Sequence, residues 1–192
     1  QALLAPDFLR KHRLTADSSI DVESCVEPNH WAWYFDNPKN RRREWIYFDV
    51  LMPISTPLKQ IPAGNNYSCV LLIRWRDQSI LLTGDIERRA ERQFLQRYNL
   101  SSVSVLVAPH HGSKTSSSND FVKQLNPSHV VFSAGYRHRY GHPHPLVVSR
   151  YKQQGTVLWN TAEKGGLTFF WDQNAQLQVL TARNNPPSYW WR

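Results

Sequence analysis

Residues 103–108 (VSVLVA) form a run that is apolar but for one serine, and no other feature constrains the fold of this chain as tightly. The run is far shorter than the ~20 apolar residues that cross a bilayer, so it reads as a short strand buried on both faces. Such a strand needs material above and below it, and its neighbours have the patterns to supply that. Residues 69–75 (CVLLIRW) and 79–83 (SILLT) read as two strands joined at Arg76, Asp77 and Gln78. Residues 87–98 place Ala90, Phe94, Leu95 and Tyr98 at helical spacing. A helix over 120–125 stopped by Pro127, a strand over 129–133 and a helix over 146–154 ending before Gly155 follow. The stretches 156–159, 166–171 and 177–181 alternate like a meander. Strand, helix, strand, helix, strand is the order of a layered α/β protein.

A chain of 192 residues has room for one compact domain. With 41% apolar and 20% charged residues it is globular in composition rather than disordered. The net charge of +8 favours an anionic partner, with nucleic acid and anionic lipid headgroups first. Cys25 and Cys69 lack the CxxC spacing of zinc or redox chemistry, although they could pair in an oxidising compartment. There is no internal repeat, and no segment has the order of a signal peptide. The first residue is Gln1, so a piece of a longer protein is expected. A short helix is expected near residues 7–12.

Residues 28–62 are unusual. Trp31, Trp33, Tyr34, Phe35, Trp45, Tyr47 and Phe48 are interleaved with Arg41, Arg42 and Arg43. Strands select aromatics in any case, so one reading is strands packed on a core with a solvated basic turn. The other is that the rings stack on bases while the arginines hold phosphates.

Three further features follow apolar strands. Gly84 and Asp85 close SILLTGD. A carboxylate there can project into a site, or it can simply cap the helix that begins nearby. His110 and His111 lie in APHHGS after the buried strand. Adjacent imidazoles point in different directions, so one of them suits a metal while the other moves a proton or holds phosphate. Residues 137–144 combine Arg137 and Arg139 with His142 and His144, a composition suited to a phosphate or to an ordinary basic surface loop. Taken together, three strands deliver acid and imidazole groups at their C-terminal ends, where layered α/β proteins place their sites. That mix of groups is the one metal-assisted hydrolysis requires.

In their order and spacing, GNNYSCVLLI, SILLTGDIE, VLVAPHHGSKTSSS and VVFSAGYRHRYGHPHP resemble the metallo-β-lactamase-like domain of ComEC-type DNA internalisation competence proteins, over roughly residues 64–171. The resemblance implies an αββα sandwich with metals at one edge, attached to a membrane channel. It also implies a nuclease that degrades one DNA strand while the other enters the cell. By the same resemblance Asp85 corresponds to a metal-bridging aspartate, and His110 with His111 to a histidine motif of which one member ligates. Asn65, Asn66 and Ser68 fall where two-zinc relatives place a ligand histidine. Ser113 and Lys114 fit substrate or phosphate contacts, and His142 fits the family's GHP loop. The family's early aspartate-valine-glycine-glutamine-glycine strand and its HxxxDH-type motif, the second of which supplies most of the metal ligands, do not occur in this chain.

These readings divide the chain into a segment 1–63 with an aromatic and arginine-rich insertion, and the C-terminal part of the sandwich over 64–192. The expected activity of the parent protein is that of a phosphodiesterase dependent on Mn²⁺ or Zn²⁺. In it Asp85 and one of His110 or His111 would hold the metal. His142, Lys114 or Arg139 would act on the leaving group or phosphate, and Arg137 and Arg41 to Arg43 would contact DNA. Single- or double-stranded DNA and the channel domain of the parent are the expected partners. Half a sandwich would also self-associate through its bare sheet. The location implied is the bacterial inner membrane, with this domain on the periplasmic side. The alternatives are a non-catalytic DNA-binding module and, less suited to the charge, a small-molecule metallohydrolase.

Overall fold

A computed structural model describes residues 29–38, 41–53, 64–137, 139–172 and 176–183. The helix expected near residues 7–12 lies outside them. The strands are β1 (Asn29–Asp36), β2 (Arg43–Met52), β3 (Val70–Trp75), β4 (Gln78–Leu82), β5 (Val105–Val107), β6 (His129–Phe132), β7 (Val157–Asn160), β8 (Leu167–Trp171) and β9 (Leu177–Thr181). The helices are α1 (Arg88–Arg97), α2 (Asn119–Leu125), α3 (Pro145–Gln153) and the single turn α4 (Thr161–Lys164).

β1 to β7 lie side by side in chain order in one sheet, and β8 and β9 form a separate two-stranded sheet. β1 to β4 are antiparallel neighbours, whereas β4 to β7 run parallel. Because β2 pairs with β3, residues on both sides of position 64 share this sheet. Each parallel step needs a crossover, and crossovers take one hand. The strand order always advances in the same direction, so α1, α2 and α3 all fall on one face.

The core lies between that face and the helices. Leu72, Leu81, Leu106, Val130 and Phe132 of the sheet meet Phe94, Phe121, Leu125, Val147 and Tyr151 of the helices. Phe94 packs edge-on against Phe121 at 5.8 Å, and Phe132 against Tyr151 at 5.8 Å between centroids. The helix ends follow from sequence. Asn126 closes α2 in the left-handed conformation (φ 39°) just before Pro127, and Pro145 opens α3, where a missing N–H costs nothing.

On the other face the β8–β9 hairpin stacks against the sheet. Phe169 lies 6.1 Å from Trp159 and 6.1 Å from His129. Trp171 lies 6.1 Å from Trp75 and donates from Nε1 to Gln78 Oε1 at 2.9 Å. The molecule is therefore layered as helices, sheet and hairpin. The α/β class read from the sequence is observed, and the strands and helices expected after residue 69 occur within a residue or two of their expected ends. Cys69 is disulfide-bonded, and Cys25 lies outside the described residues. No helix among the described residues is long and apolar enough to cross a membrane.

Trp159 Nε1 donates to His129 Nδ1 at 3.0 Å, so that nitrogen accepts and the imidazole is neutral. Burial beneath the hairpin lowers the His129 pKa from its ordinary 6.5. A base with a depressed pKa contributes stability that is complete above the unfolded value and lost as pH falls below it. Thermal melts should therefore show stability declining as pH drops below about 6.5. The decline should be shallower in His129→Gln, and identical slopes for the two proteins would refute this.

Candidate functional site

The ends of three adjacent parallel strands converge. Asp85 follows β4, His110 and His111 follow β5, and His142 follows β6. Backbone and hydroxyl contacts hold these loops together. Thr83 Oγ1 donates to the Val107 carbonyl at 2.7 Å, and the His110 N–H donates to the Gly84 carbonyl at 3.0 Å. The His144 N–H donates to the Gly112 carbonyl at 2.9 Å. Two glycines permit this crowding. A Cβ on Gly84 (φ 54°) would sit 2.7 Å from Ser68 Cβ, and one on Gly112 (φ 80°) would sit 2.7 Å from the Phe132 ring and 2.8 Å from Pro143.

His110 (φ 49°, ψ 44°) and His111 (φ 57°, ψ 18°) are both left-handed, a conformation that costs a non-glycine residue about 1–2 kcal/mol. Two such residues in succession persist only because the surroundings over-determine them. The Ser116 hydroxyl donates to the Pro109 carbonyl at 2.7 Å, and the Ser113 N–H donates to the His110 carbonyl at 2.9 Å. The strain turns the two rings apart. His110 Nδ1 lies 3.3 Å from Glu87 Oε1, and His111 Nε2 lies 3.5 Å from Asp85 Oδ1. The His111–Asp85 pair is nearly half exposed, whereas His110 and Glu87 are more enclosed. The His142 ring lies 6.0 Å from that of His110 and stacks on Tyr140 at 6.0 Å.

Glu87 was not among the residues singled out from the sequence, where it read only as the start of a helix. Its signal was its place two residues after Asp85. Its Oε1 also accepts from Thr115 Oγ1 at 2.8 Å, so it bridges the histidine loop to the start of α1. Asn66 shows why Glu87 is available. The Asn66 carbonyl oxygen accepts from the N–H groups of Glu87 at 3.1 Å and Ala90 at 3.2 Å, capping α1 from outside. Asp85 does not cap the helix, and its own N–H donates to Ser68 Oγ at 3.1 Å. Asn65 lies in the short turn Asn65–Tyr67 beside this loop.

Other expected residues divide between the site and its margin. Ser113 is buried, with its hydroxyl 3.1 Å from that of Thr115. Lys114 is exposed on the histidine loop, which is tied by its carbonyl to Arg88 at 2.9 Å. Arg137 and Arg139 lie over the rings of Tyr136 and Tyr140, at 5.3 and 4.6 Å. His144 uses Nδ1 to accept from the Leu146 N–H at 3.2 Å, capping α3. Arg41, Arg42 and Arg43 are not brought to the site; they lie at the turn between β1 and β2, at the opposite end of the sheet.

The chemistry of the donors suits a divalent cation, but their grouping falls short of one. Asp85 with His111 and Glu87 with His110 form two separate pairs. Among the described residues no three His, Cys, Asp or Glu side chains are arranged to hold an ion. A catalytic zinc takes about three protein ligands, one more than either pair supplies.

Comparison with curated proteins places these loops in context. The chain is 31% identical over 161 residues to recombination protein 2 of Haemophilus influenzae, covering 83% of this chain and 18% of that protein. It is 39% identical over 147 residues to competence protein ComA of Neisseria gonorrhoeae, covering 76% of this chain and 19% of the relative. It is 32% identical over 122 residues to ComE operon protein 3 of Bacillus subtilis, covering 63% and 16% respectively. The chain thus spans less than a fifth of the length of each relative. No protein-family model matches it. The similarities point to the ComEC-type competence family.

The site loop is anchored from beneath by Glu91, a fully buried residue of α1. Its carboxylate accepts from the backbone N–H groups of Ser117 and, at 2.9 Å, Ser118. Burial raises its pKa, against the pull of those donors and of Arg150. Arg150 donates to the Ser117 carbonyl at 2.8 Å, and Tyr151 Oη lies 3.0 Å from Ser117 Oγ. Glu91→Ala would leave the buried Ser117 N–H and the partly buried Ser118 N–H without their acceptor, at about 1–3 kcal/mol each. Chemical denaturation should show a loss of about 3 kcal/mol, and a loss below about 1 kcal/mol would contradict the anchoring role.

Proposed function

We propose that this chain is the DNA-processing part of a competence-type uptake protein, and that its site cleaves phosphodiester bonds. The observation that carries this reading is the pair of histidine–carboxylate contacts on strained loops at the ends of three parallel strands. A carboxylate holding an imidazole in a fixed orientation is the arrangement of a positioned general base, and a second, more enclosed pair beside it suits a general acid. His111, oriented by Asp85, is the exposed member that can reach a substrate water. His110 and His142 stand together on the leaving-group side, and Lys114 and Arg139 offer cations for phosphoryl oxygens.

The names of the relatives support a part in competence and DNA uptake for the longer protein, and the net charge of +8 fits a nucleic-acid substrate. The layering of helices, sheet and a stacked hairpin supports the reading of a metallo-β-lactamase-like αββα sandwich present in part. With a Mn²⁺ or Zn²⁺ ion bound, Asp85 and one of His110 or His111 would be two of its ligands and only the other imidazole would keep an acid–base role, with the remaining donors supplied from beyond the described residues. The disulfide at Cys69 favours an oxidising compartment, in keeping with a domain on the periplasmic side of the inner membrane. The channel domain of the parent and a second copy of the chain remain the proposed protein partners.

The net charge of +8 and the arginines beside the exposed rings of the β1–β2 hairpin favour a second reading, in which the chain binds DNA without cutting it. Labelled single- and double-stranded DNA incubated in Mn²⁺ and in chelator separates the two. Metal-dependent cleavage is expected, lowered roughly 10²-fold or more by Asp85→Ala and by His111→Ala. Salt-sensitive binding with no cleavage under any metal would establish the binding module instead.

A further inference from the structure

Among the described residues, the face of the sheet that carries α1, α2 and α3 is not covered to its edge. At β3 and β4 it is buried through Leu72 and Leu81. The β1–β2 hairpin continues beyond the helices, and its side chains on that face stand in register: Ala32 opposite Tyr47, Tyr34 opposite Trp45, and Asp36 opposite Arg43. Aromatic strand residues ordinarily bury their rings. Here Tyr34 is 37% exposed, Trp45 42% and Tyr47 46%. The strand character expected for this segment is therefore observed, but these rings do not pack on a core.

The exposed rings are held in place by their neighbours. Tyr34 and Trp45 lie 5.2 Å apart, and the Arg43 guanidinium sits 4.1 Å above the Tyr34 ring. Arg74, fixed by Asp49 at 2.8 Å, places its guanidinium 5.8 Å from Tyr47. On the opposite face of the hairpin, Glu44 is buried and accepts from Asn37 at 2.6 Å and Trp75 at 2.8 Å, and also from Arg76. These bonds lock the hairpin tip to the β3–β4 turn, so the rings are presented on a stiff ladder. The cations Arg41, Arg42, Arg43 and Arg74 outnumber the carboxylates Asp36 and Asp49 there.

We infer that this face is a stacking platform for single-stranded DNA, with Trp45, Tyr47 and Tyr34 taking bases while Arg43 and Arg74 track the phosphates. The inference rests on the reading that the chain handles DNA. Rings at i and i+2 of a strand are about 7 Å apart. Bases in a duplex are about 3.4 Å apart along each strand, so the ladder fits bases that have been drawn apart and not a stacked double helix. Base–aromatic stacking contributes about 1–3 kcal/mol per base without regard to sequence, which suits a protein that must accept any DNA. The turn between β1 and β2 is at the end of the sheet away from the histidine loops. Trp45 and Tyr47 lie seven and five residues before Met52, the last residue of β2, about 24 and 17 Å along the strand from its site end, so occupancy of the platform can be read independently of cleavage.

Fluorescence anisotropy with a labelled oligothymidine strand of roughly 12 nucleotides, in chelator so that no cleavage intrudes, tests the platform. Binding that weakens with salt is expected, tighter than to a duplex of the same length. Trp45→Ala and Tyr47→Ala should each weaken it roughly 5- to 100-fold, while Trp45→Phe retains most of the affinity; circular dichroism checks that each variant is folded. Affinity unchanged in folded Trp45→Ala and Tyr47→Ala, or equal affinity for duplex, would overturn the platform while leaving the DNA-handling reading in place. Absence of binding to either form of DNA by the parent chain would overturn both.

Discussion

A parallel strand can be joined to its parallel neighbour only through a crossover, and β4 to β7 make three such crossovers in the same direction. With one hand allowed, the three helices have no choice of face. That constraint builds the core, in which Phe94, Phe121 and Tyr151 meet Leu81, Leu106 and Phe132. It also leaves the opposite face to the β8–β9 hairpin. Finally, it gathers the loops that leave β4, β5 and β6 at one edge, because parallel strands end on the same side.

At that edge the loops are close enough for small residues to be compulsory and for two histidines to be forced into left-handed backbone. The cost is met by buried polar contacts beneath. Glu91 is the central one: a carboxylate under the loop satisfies the backbone N–H groups of Ser117 and Ser118. Asn66 plays a similar part at the start of α1, and by capping that helix from another segment it leaves Asp85 and Glu87 facing the histidines.

The hairpin of β1 and β2 obeys a different logic. It joins the same sheet but extends past the helices, so among the described residues one of its faces has no layer to pack on. Its rings are ordered instead by arginines, which are themselves set by Asp36 and Asp49, and by the buried Glu44 network behind them. Burial pushes the Glu44 carboxyl up, yet the bonds from Asn37, Arg76 and Trp75 outweigh it and hold the carboxyl below its ordinary range. The histidine-bearing edge and the aromatic ladder are therefore two separate products of one sheet.

The local pattern of the chain sufficed for the α/β order, for the strands and helices after residue 69, and for the positions of Asp85, His110, His111 and His142 at strand ends. Apolar periodicity and turn residues are short-range signals, and they carry that much. Glu87 as a partner of His110, Asn66 as a cap and Glu91 as an anchor were decided only by the tertiary structure, since each acts on a segment distant in sequence. The same holds for the division among the arginines: Arg137 and Arg139 fall beside the histidine loops, while Arg41 to Arg43 are carried to the far end by strands whose direction composition does not reveal. The exposure of Tyr34, Trp45 and Tyr47 was likewise beyond the sequence. An aromatic strand reads the same whether or not a helix lies above it, and here the helices stop short.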